Sequence, residues 1–244
     1  MRYLINFSYD GSNYSGYQIQ PNLDTIQERL EKAVCIVNNG IKRSVHSSGR
    51  TDKGVHALDQ WAHVDLDISI TPHKLKRALN SNLPDDIHVI NTYEVADNFH
   101  ARYNVKSKIY EYHINLGEYI PMERNYVFQY NYHLNISKMR EALKLFVGER
   151  DFRAFVTDNK EKENCVRTIY SAEIIEDGNH CIIRFHGNGF LRYQVRNMVG
   201  ILIRVGEEKI SCEEVEKILL SKDRSKYGKT APSQGLYLVK VNYN

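Results

Sequence analysis

The sequence predicts an α+β fold of two similar subdomains. Each is a mainly antiparallel sheet with helices packed on one face, and the cleft between them is the default ligand site. Three observations carry this. Period-two apolar runs alternate with segments whose apolar residues recur at three and four. Asp177-Gly178 separates two alternating runs, a strong hairpin signal. The order of elements in residues 1–104 resembles that in 105–244, with no matching sequence repeat. The first half carries the aspartate loop described below.

Tyr3, Ile5, Phe7 and Tyr9 alternate with Leu4, Asn6 and Ser8 in a first strand that ends at Asp10-Gly11. A polar, tyrosine-rich loop spans 12–22. Thr25 and Glu28 have capping-box spacing. Behind them Ile26, Leu30, Ala33, Val34 and Val37 fall at helical spacing until Asn38-Asn39-Gly40 stops the helix. Strands are expected over 42–48 and 58–68, the second lining one face with Ala62, Val64, Leu66 and Ile68. Thr71-Pro72 reads as N-cap and first residue of a helix carrying Leu75, Ala78 and Leu79, which must end before Pro84. A strand through Ile87, Val89 and Tyr93 follows, and Phe99-His100-Ala101-Arg102 is the expected hinge.

The second half opens with an alternating strand over 107–115, then a short strand over 125–130. Met139, Leu143, Phe146 and Val147 mark a helix ending at Gly148. Residues 166–176 and 180–186 form the hairpin around Asp177-Gly178. Leu191, Val195, Met198, Val199 and Leu202 predict a helix over 190–205. Ser211 with Glu214 caps another through Val215, Ile218 and Leu219, and a strand over 236–241 closes the chain.

At 244 residues, 42% hydrophobic and 26% charged, the composition is that of an ordinary globular protein. A net charge of +3 is mildly basic, so nucleic-acid binding would depend on local clustering. The 17 tyrosines suit base stacking and half-buried strands alike. Cys35, Cys165, Cys181 and Cys212 are scattered, with no CxxC pair, so reduced thiols and no zinc site are expected. The N-terminus runs straight into a strand pattern, and no segment approaches the roughly 20 apolar residues of a membrane span. A soluble, cytoplasmic protein with no membrane partner is expected.

The densest chemistry lies in Ser47-Ser48-Gly49-Arg50-Thr51-Asp52-Lys53-Gly54-Val55-His56-Ala57. One carboxylate, Asp52, sits beside Arg50 and Lys53 between two glycines. A neighbouring guanidinium favours its ionised form, and glycine allows positive φ and close ligand approach. A polar hairpin with a surface ion pair is the simpler reading, but such a turn needs fewer specialised residues. A lone activated carboxylate serves nucleophilic attack, proton abstraction or glycosyl transfer. No second acid stands in a comparable setting, which disfavours a glycosidase.

Arg196 follows Arg192 by one turn on the expected helix. A solvated basic face is the commoner arrangement for such a pair. Tyr110 and Tyr112 alternate along their strand, where half-buried tyrosines are ordinary. His56, His63 and Asp65 invite a metal reading, but His56 lies in the loop and no helical histidine pair exists, so no metal is expected. Basic residues cluster at Lys42-Arg43, at Lys74, Lys76 and Arg77, over 102–108 and over 222–229. On one surface they would form a phosphate-contacting track.

The stretch Gly49-Arg50-Thr51-Asp52-Lys53-Gly54-Val55-His56-Ala57 closely resembles the catalytic-aspartate motif of the TruA-type tRNA pseudouridine synthases. Phe185-His186-Gly187-Asn188-Gly189-Phe190-Leu191-Arg192-Tyr193-Gln194-Val195-Arg196-Asn197-Met198-Val199-Gly200 resembles the family's third motif, whose arginine maps to Arg196. The likeness extends to Tyr9-Asp10-Gly11, Gln27 with Leu30, residues 80–86, Phe99-His100-Ala101-Arg102, Asp151-Phe152 with Phe155, and Thr230-Ala231-Pro232 with Gly235-Leu236-Tyr237-Leu238.

This resemblance implies isomerisation of uridine to pseudouridine in the anticodon stem-loop of tRNA, near its 3′ side. It implies Asp52, Tyr110 and Arg196 as catalytic residues, with Arg196 paired to Asp52. Arg50, Thr51, Lys53, His56 and Arg192 would be substrate-binding, Arg50 holding the displaced nucleotide or filling its place. Asp52 would attack the sugar or remove its C2′ proton. The family implies a homodimer acting on RNA and not DNA, without cofactor or metal. One departure stands out: Gly16-Tyr17-Gln18 carries Tyr where many members have Trp, which leaves room for a shifted RNA target. Another RNA, other tRNA positions or a non-catalytic RNA-binding module are the alternatives.

Overall fold

Strand β1 (Arg2–Tyr9) is flanked on both sides by antiparallel neighbours, β3 (His56–Asp65) and β4 (Ile87–Val95). Tyr3, Leu4, Ile5, Asn6 and Phe7 are all buried, so the alternation in the sequence does not leave one wet face. The described residues of this computed structural model, 1–156, 164–223 and 228–243, divide into two units. One holds Met1–Lys106 and the chain end from Tyr237; the other is Ser107–Leu236. The fold is α+β.

In the first unit the strand order is β4-β1-β3-β10, where β10 is Leu236–Asn242, and β2 (His46–Ser47) lies on β3. β10 is parallel to β3, with Tyr237 opposite His56 and Leu238 opposite Ala57. Helices α1 (Ile26–Val37) and α2 (Pro72–Asn80) lie side by side, and α2 packs on β4. They bury Ile26, Leu30, Ala33 and Val34, and Leu75 and Leu79.

Three expectations need correction here. Thr25 is the N-cap of α1, but its fully buried hydroxyl makes no capping bond, and Glu28 pairs instead with Lys32 at 2.6 Å. The expected strand over 42–48 shrinks to β2, since only His46 and Ser47 pair with β3, and Arg43 forms an ion pair with Asp67. Its partner β3 starts at His56, earlier than the pattern suggested, and stops at Asp65.

The second unit orders its strands β5-β9-β8-β7: Ser107–Asn115, His180–Gly187, Val166–Asp177 and Gly148–Asp151 respectively. β6 (Phe128–Gln129) runs parallel to β5 and is shorter than the expected strand over 125–130. Helix α3 (Ile136–Lys144) packs on β8 and on α4 (Gln194–Gly206) and α5 (Cys212–Ser221). It ends before Phe146, which joins Phe152 and Phe155 in a buried aromatic cluster. α4 starts at Gln194 and not near 190, because Tyr193 takes a left-handed backbone conformation. The Ser211–Glu214 capping box of α5 forms as expected. No helix among the described residues is long and apolar enough to cross a membrane.

Candidate active site

The Asp52 loop joins β2 to β3, and buried polar residues fasten its backbone on both flanks. On the N-terminal side, Gln60 of β3 donates from Nε2 to the Gly49 carbonyl at 3.0 Å and accepts the Ser48 hydroxyl at 2.7 Å. The Thr51 hydroxyl meets Tyr9 Oη at 2.7 Å, and the Thr51 carbonyl accepts the Tyr17 amide at 3.1 Å. Burial pushes the Tyr9 hydroxyl up to about 12, the bonds to Thr51 and Gln60 pulling the other way, so Tyr9 stays a neutral hydrogen-bonding group. The β1 register slips between Phe7 and Tyr9, a bulge of the kind that re-aims side chains beside sites.

On the C-terminal side, the Val55 amide donates to the Asp52 carbonyl at 3.2 Å, and Gly54 takes φ +74°. Gly11 presses so close that a Cβ there would lie 2.0 Å from the Val55 carbonyl oxygen. Next, His56 is buried: its Nδ1 lies 3.2 Å from the Gly11 amide and 3.1 Å from Asp10 Oδ1. Which contact dominates follows the proton: a bare Nδ1 accepts from Gly11, a protonated one donates to Asp10. The His56 ring stacks on Tyr237 of β10 at 4.7 Å. Asp52 is half-buried between these anchors, with Arg50 and Lys53 exposed on either side.

Tyr17, at the departure noted above, is buried beneath this loop. Burial holds its hydroxyl far above the usual tyrosine range. Ser47 lies near, but Tyr17 Oη makes no hydrogen bond among the described residues.

In the second unit, Tyr110 on β5 is mostly buried and meets Phe190 edge-on at 5.2 Å. Tyr112 is fully buried and donates its hydroxyl to the Pro232 carbonyl at 2.7 Å. Burial pushes Tyr112 well up, while the charge of Arg196 pulls against it. Arg196 donates from Nε to the Ala231 carbonyl at 2.8 Å, and the Ala231 amide returns a bond to the Arg196 carbonyl at 3.1 Å. Asn197 accepts the Thr230 hydroxyl at 2.7 Å and donates to the Phe155 carbonyl at 2.7 Å. Gly200 lets the chain close in: a Cβ there would be 2.1 Å from the Lys229 carbonyl oxygen. Thus Thr230-Ala231-Pro232 is clamped along α4.

Tyr193 has φ +63° and ψ −2°, and its ring lies 5.1 Å from the Arg192 guanidinium and 5.1 Å from that of Arg196. A left-handed non-glycine residue costs about 1 kcal/mol or more. Two such cation–π contacts, each worth about 0.5–1 kcal/mol, offset that cost.

A family profile for tRNA pseudouridine synthases matches residues 5–104 and 142–244. The chain belongs to that family. The tRNA pseudouridine synthase A of Anoxybacillus flavithermus is 42% identical over 243 residues, covering 100% of this chain and 99% of its own. The tRNA pseudouridine synthase A of Listeria monocytogenes serovar 1/2a is 43% identical over 245 residues, covering 99% of each. Among solved structures, a chain from a Cbf5-Nop10-Gar1 complex aligns with TM-score 0.33 and 13% identity, over 82% of this chain and 54% of its own.

Arg50, Thr51, Asp52 and Lys53 therefore share one loop, with His56 opening β3 directly after it, while Arg196 lies in the first turn of α4 against Ala231 and Arg192 just precedes that helix. The fasteners to which reading the sequence gave no role are Gln60, Tyr193 and Tyr237, and Tyr17 stood out there only as a departure from the family. Gln60 had a signal, since its place in the alternation puts a polar side chain on the face of Ala62, Val64, Leu66 and Ile68. The basic cluster over 222–229 falls partly outside the described residues. Arg43 of another cluster is held by Asp67.

Proposed function

We propose that the protein isomerises uridine to pseudouridine in tRNA, in the anticodon stem-loop near its 3′ side. The observation that supports this best is the Asp52 loop: a half-buried carboxylate on a backbone fastened at both flanks, in a chain of the tRNA pseudouridine synthase family. The target nucleotide leaves its stack at a cost of a few kcal/mol. Asp52 then attacks the sugar or removes its C2′ proton, and either route needs an ionised, fixed carboxylate. The N1–C1′ bond breaks, the uracil turns, and C5 bonds to C1′ as Asp52 leaves the sugar or returns the C2′ proton; the C5 proton passes to solvent and N1 takes up a proton. Atoms balance without a cofactor or metal.

Tyr110 packs on the base, and Arg196 belongs to the same catalytic set. Arg50, Lys53 and Arg192, all exposed, serve the displaced nucleotide and its phosphates, with buried Thr51 and His56 setting the loop behind them. We take the enzyme to be cytoplasmic and a homodimer, which light scattering of the purified protein checks.

The test is tritium release from a tRNA transcript carrying uridine labelled at C5. Wild-type protein releases label; Asp52→Asn loses turnover while still binding tRNA in a filter assay. Substantial turnover by Asp52→Asn would remove Asp52 from the mechanism. Chemical mapping of pseudouridine in the product locates the target.

A further inference from the structure

Tyr193 breaks two local rules at once. The residue before a helix normally has an extended backbone and a short polar side chain that bonds the first amides. Tyr193 is left-handed and makes no such bond. Left-handed positions favour glycine, asparagine or aspartate, since a bulky side chain crowds the backbone there. Yet this conformation places the ring against two guanidiniums, those of Arg192 before it and Arg196 one turn after it, each 5.1 Å from the centroid.

Both guanidiniums lie within reach of one ring, and like charges so near one another repel. The ring supplies an electron-rich face to the pair. Arg196 is held from another side by its Nε bond to the Ala231 carbonyl. A guanidinium fixed at Nε and braced by an aromatic ring has little rotational freedom left.

We propose that Tyr193 is a positioning residue for the reaction: its ring aligns the Arg196 guanidinium, and the strained backbone is what puts the ring there. This rests on the reading of Arg196 as part of the catalytic set. It adds a residue whose action runs through Arg196 and not through the substrate.

A merely structural Tyr193 and a positioning Tyr193 differ in sign. Tyr193→Asn suits the left-handed conformation better and removes the ring, so thermal stability is expected to hold or rise. Turnover of labelled tRNA is expected to fall about tenfold, with KM within about twofold. Tyr193→Phe keeps the aromatic face and should match wild type in turnover and melting. The proposal is overturned if Tyr193→Asn keeps wild-type turnover, if its loss of turnover is matched by a loss of fold, or if Tyr193→Phe is as impaired as Tyr193→Asn. Arg196→Ala, measured in parallel, separates the two readings. If Arg196→Ala retains turnover, the catalytic assignment of Arg196 fails and this inference with it. If Arg196→Ala is inactive while Tyr193→Asn is active, only the role of Tyr193 fails.

Discussion

Tyr9 and Thr51 share a buried hydrogen bond of 2.7 Å that ties the end of β1 to the residue before Asp52. A second buried tyrosine, Tyr17, lies under the same loop, but its hydroxyl has no hydrogen-bond partner among the described residues. Removing the two hydroxyls should therefore have opposite consequences. Tyr9→Phe leaves Thr51 without its partner and should cost about 1–2 kcal/mol, with several-fold slower turnover. Tyr17→Phe removes an unsatisfied buried group and should be neutral or stabilising by up to about 1 kcal/mol. Urea denaturation of both variants checks this. A larger loss for Tyr17→Phe than for Tyr9→Phe would contradict the assignment of the two hydroxyls.

The contrast also shows what periodicity could and could not reveal. Elements whose cause is local were readable: β5, the β8–β9 hairpin at Asp177-Gly178, the Pro72 start of α2 and the Ser211–Glu214 box. The aspartate loop was readable too, because its specialised residues are contiguous. What fastens it was not. Tyr9, Tyr17, Gln60 and Tyr237 meet the loop only through pairings distant in sequence, and nothing in the alternation of 236–241 says which strand it joins. The start of α4 was misplaced for a related reason. Apolar spacing continues back to Leu191, while the left-handed turn at Tyr193 depends on neighbours that the pattern does not encode.

Gly200 offers a test in which two effects oppose each other. Inside an exposed helix, Gly→Ala usually stabilises by about 1 kcal/mol. Here the added Cβ would meet the Lys229 carbonyl oxygen at 2.1 Å, and overpacking against backbone typically costs about 1–3 kcal/mol. The steric term should win. Gly200→Ala is expected to lower the melting temperature and, by moving Ala231 off Arg196 Nε, to reduce turnover as well. A variant more stable than wild type would show that the 229–231 segment yields freely.

The histidine group at the edge of the first unit predicts an acid-sensitive stability. His63 is buried, with His46 stacked at 5.0 Å and His100 edge-on at 4.5 Å, and its Nδ1 accepts the Ala101 amide at 3.1 Å. Burial first, then the charges of His100, Arg2 and His46, lower His63 from 6.5 to about 4, against a small opposing effect of Asp65. Above pH 6.5 neither the folded nor the unfolded chain carries this proton. Between 6.5 and about 4 the unfolded chain binds it and the folded one does not, so stability falls with pH across that window. At pH 5 the loss from His63 should be about 2 kcal/mol relative to pH 7. His100, lowered by burial and by His46, Arg2 and Arg102, acts in the same direction. Urea midpoints at pH 7 and pH 5 measure the drop, and His63→Gln should flatten it. Equal midpoints at the two pH values would rule the effect out.

Asp59 gathers three donors from separate parts of the first unit. Its Oδ1 accepts Asn6 Nδ2 at 2.7 Å and Trp61 Nε1 at 3.0 Å, and its Oδ2 accepts the Val241 amide of β10 at 2.8 Å. Lys240 stands 3.6 Å from the same oxygen. The carboxylate thus pins β10, the strand whose Tyr237 stacks on His56 beside the aspartate loop. Asp59→Ala would leave buried donors unsatisfied, each costing about 1–3 kcal/mol, so a total of several kcal/mol is expected. Trp61 is the chain's sole tryptophan, and its indole N–H is one of the bonds lost, so its fluorescence reports on this junction directly. Asp59→Ala should shift the native emission and lower the urea midpoint together. Asp59→Asn keeps one acceptor oxygen but turns an NH2 toward a donor, so an intermediate loss is expected. An Asp59→Ala variant with native emission and an unchanged midpoint would mean that Asp59 does not hold β10.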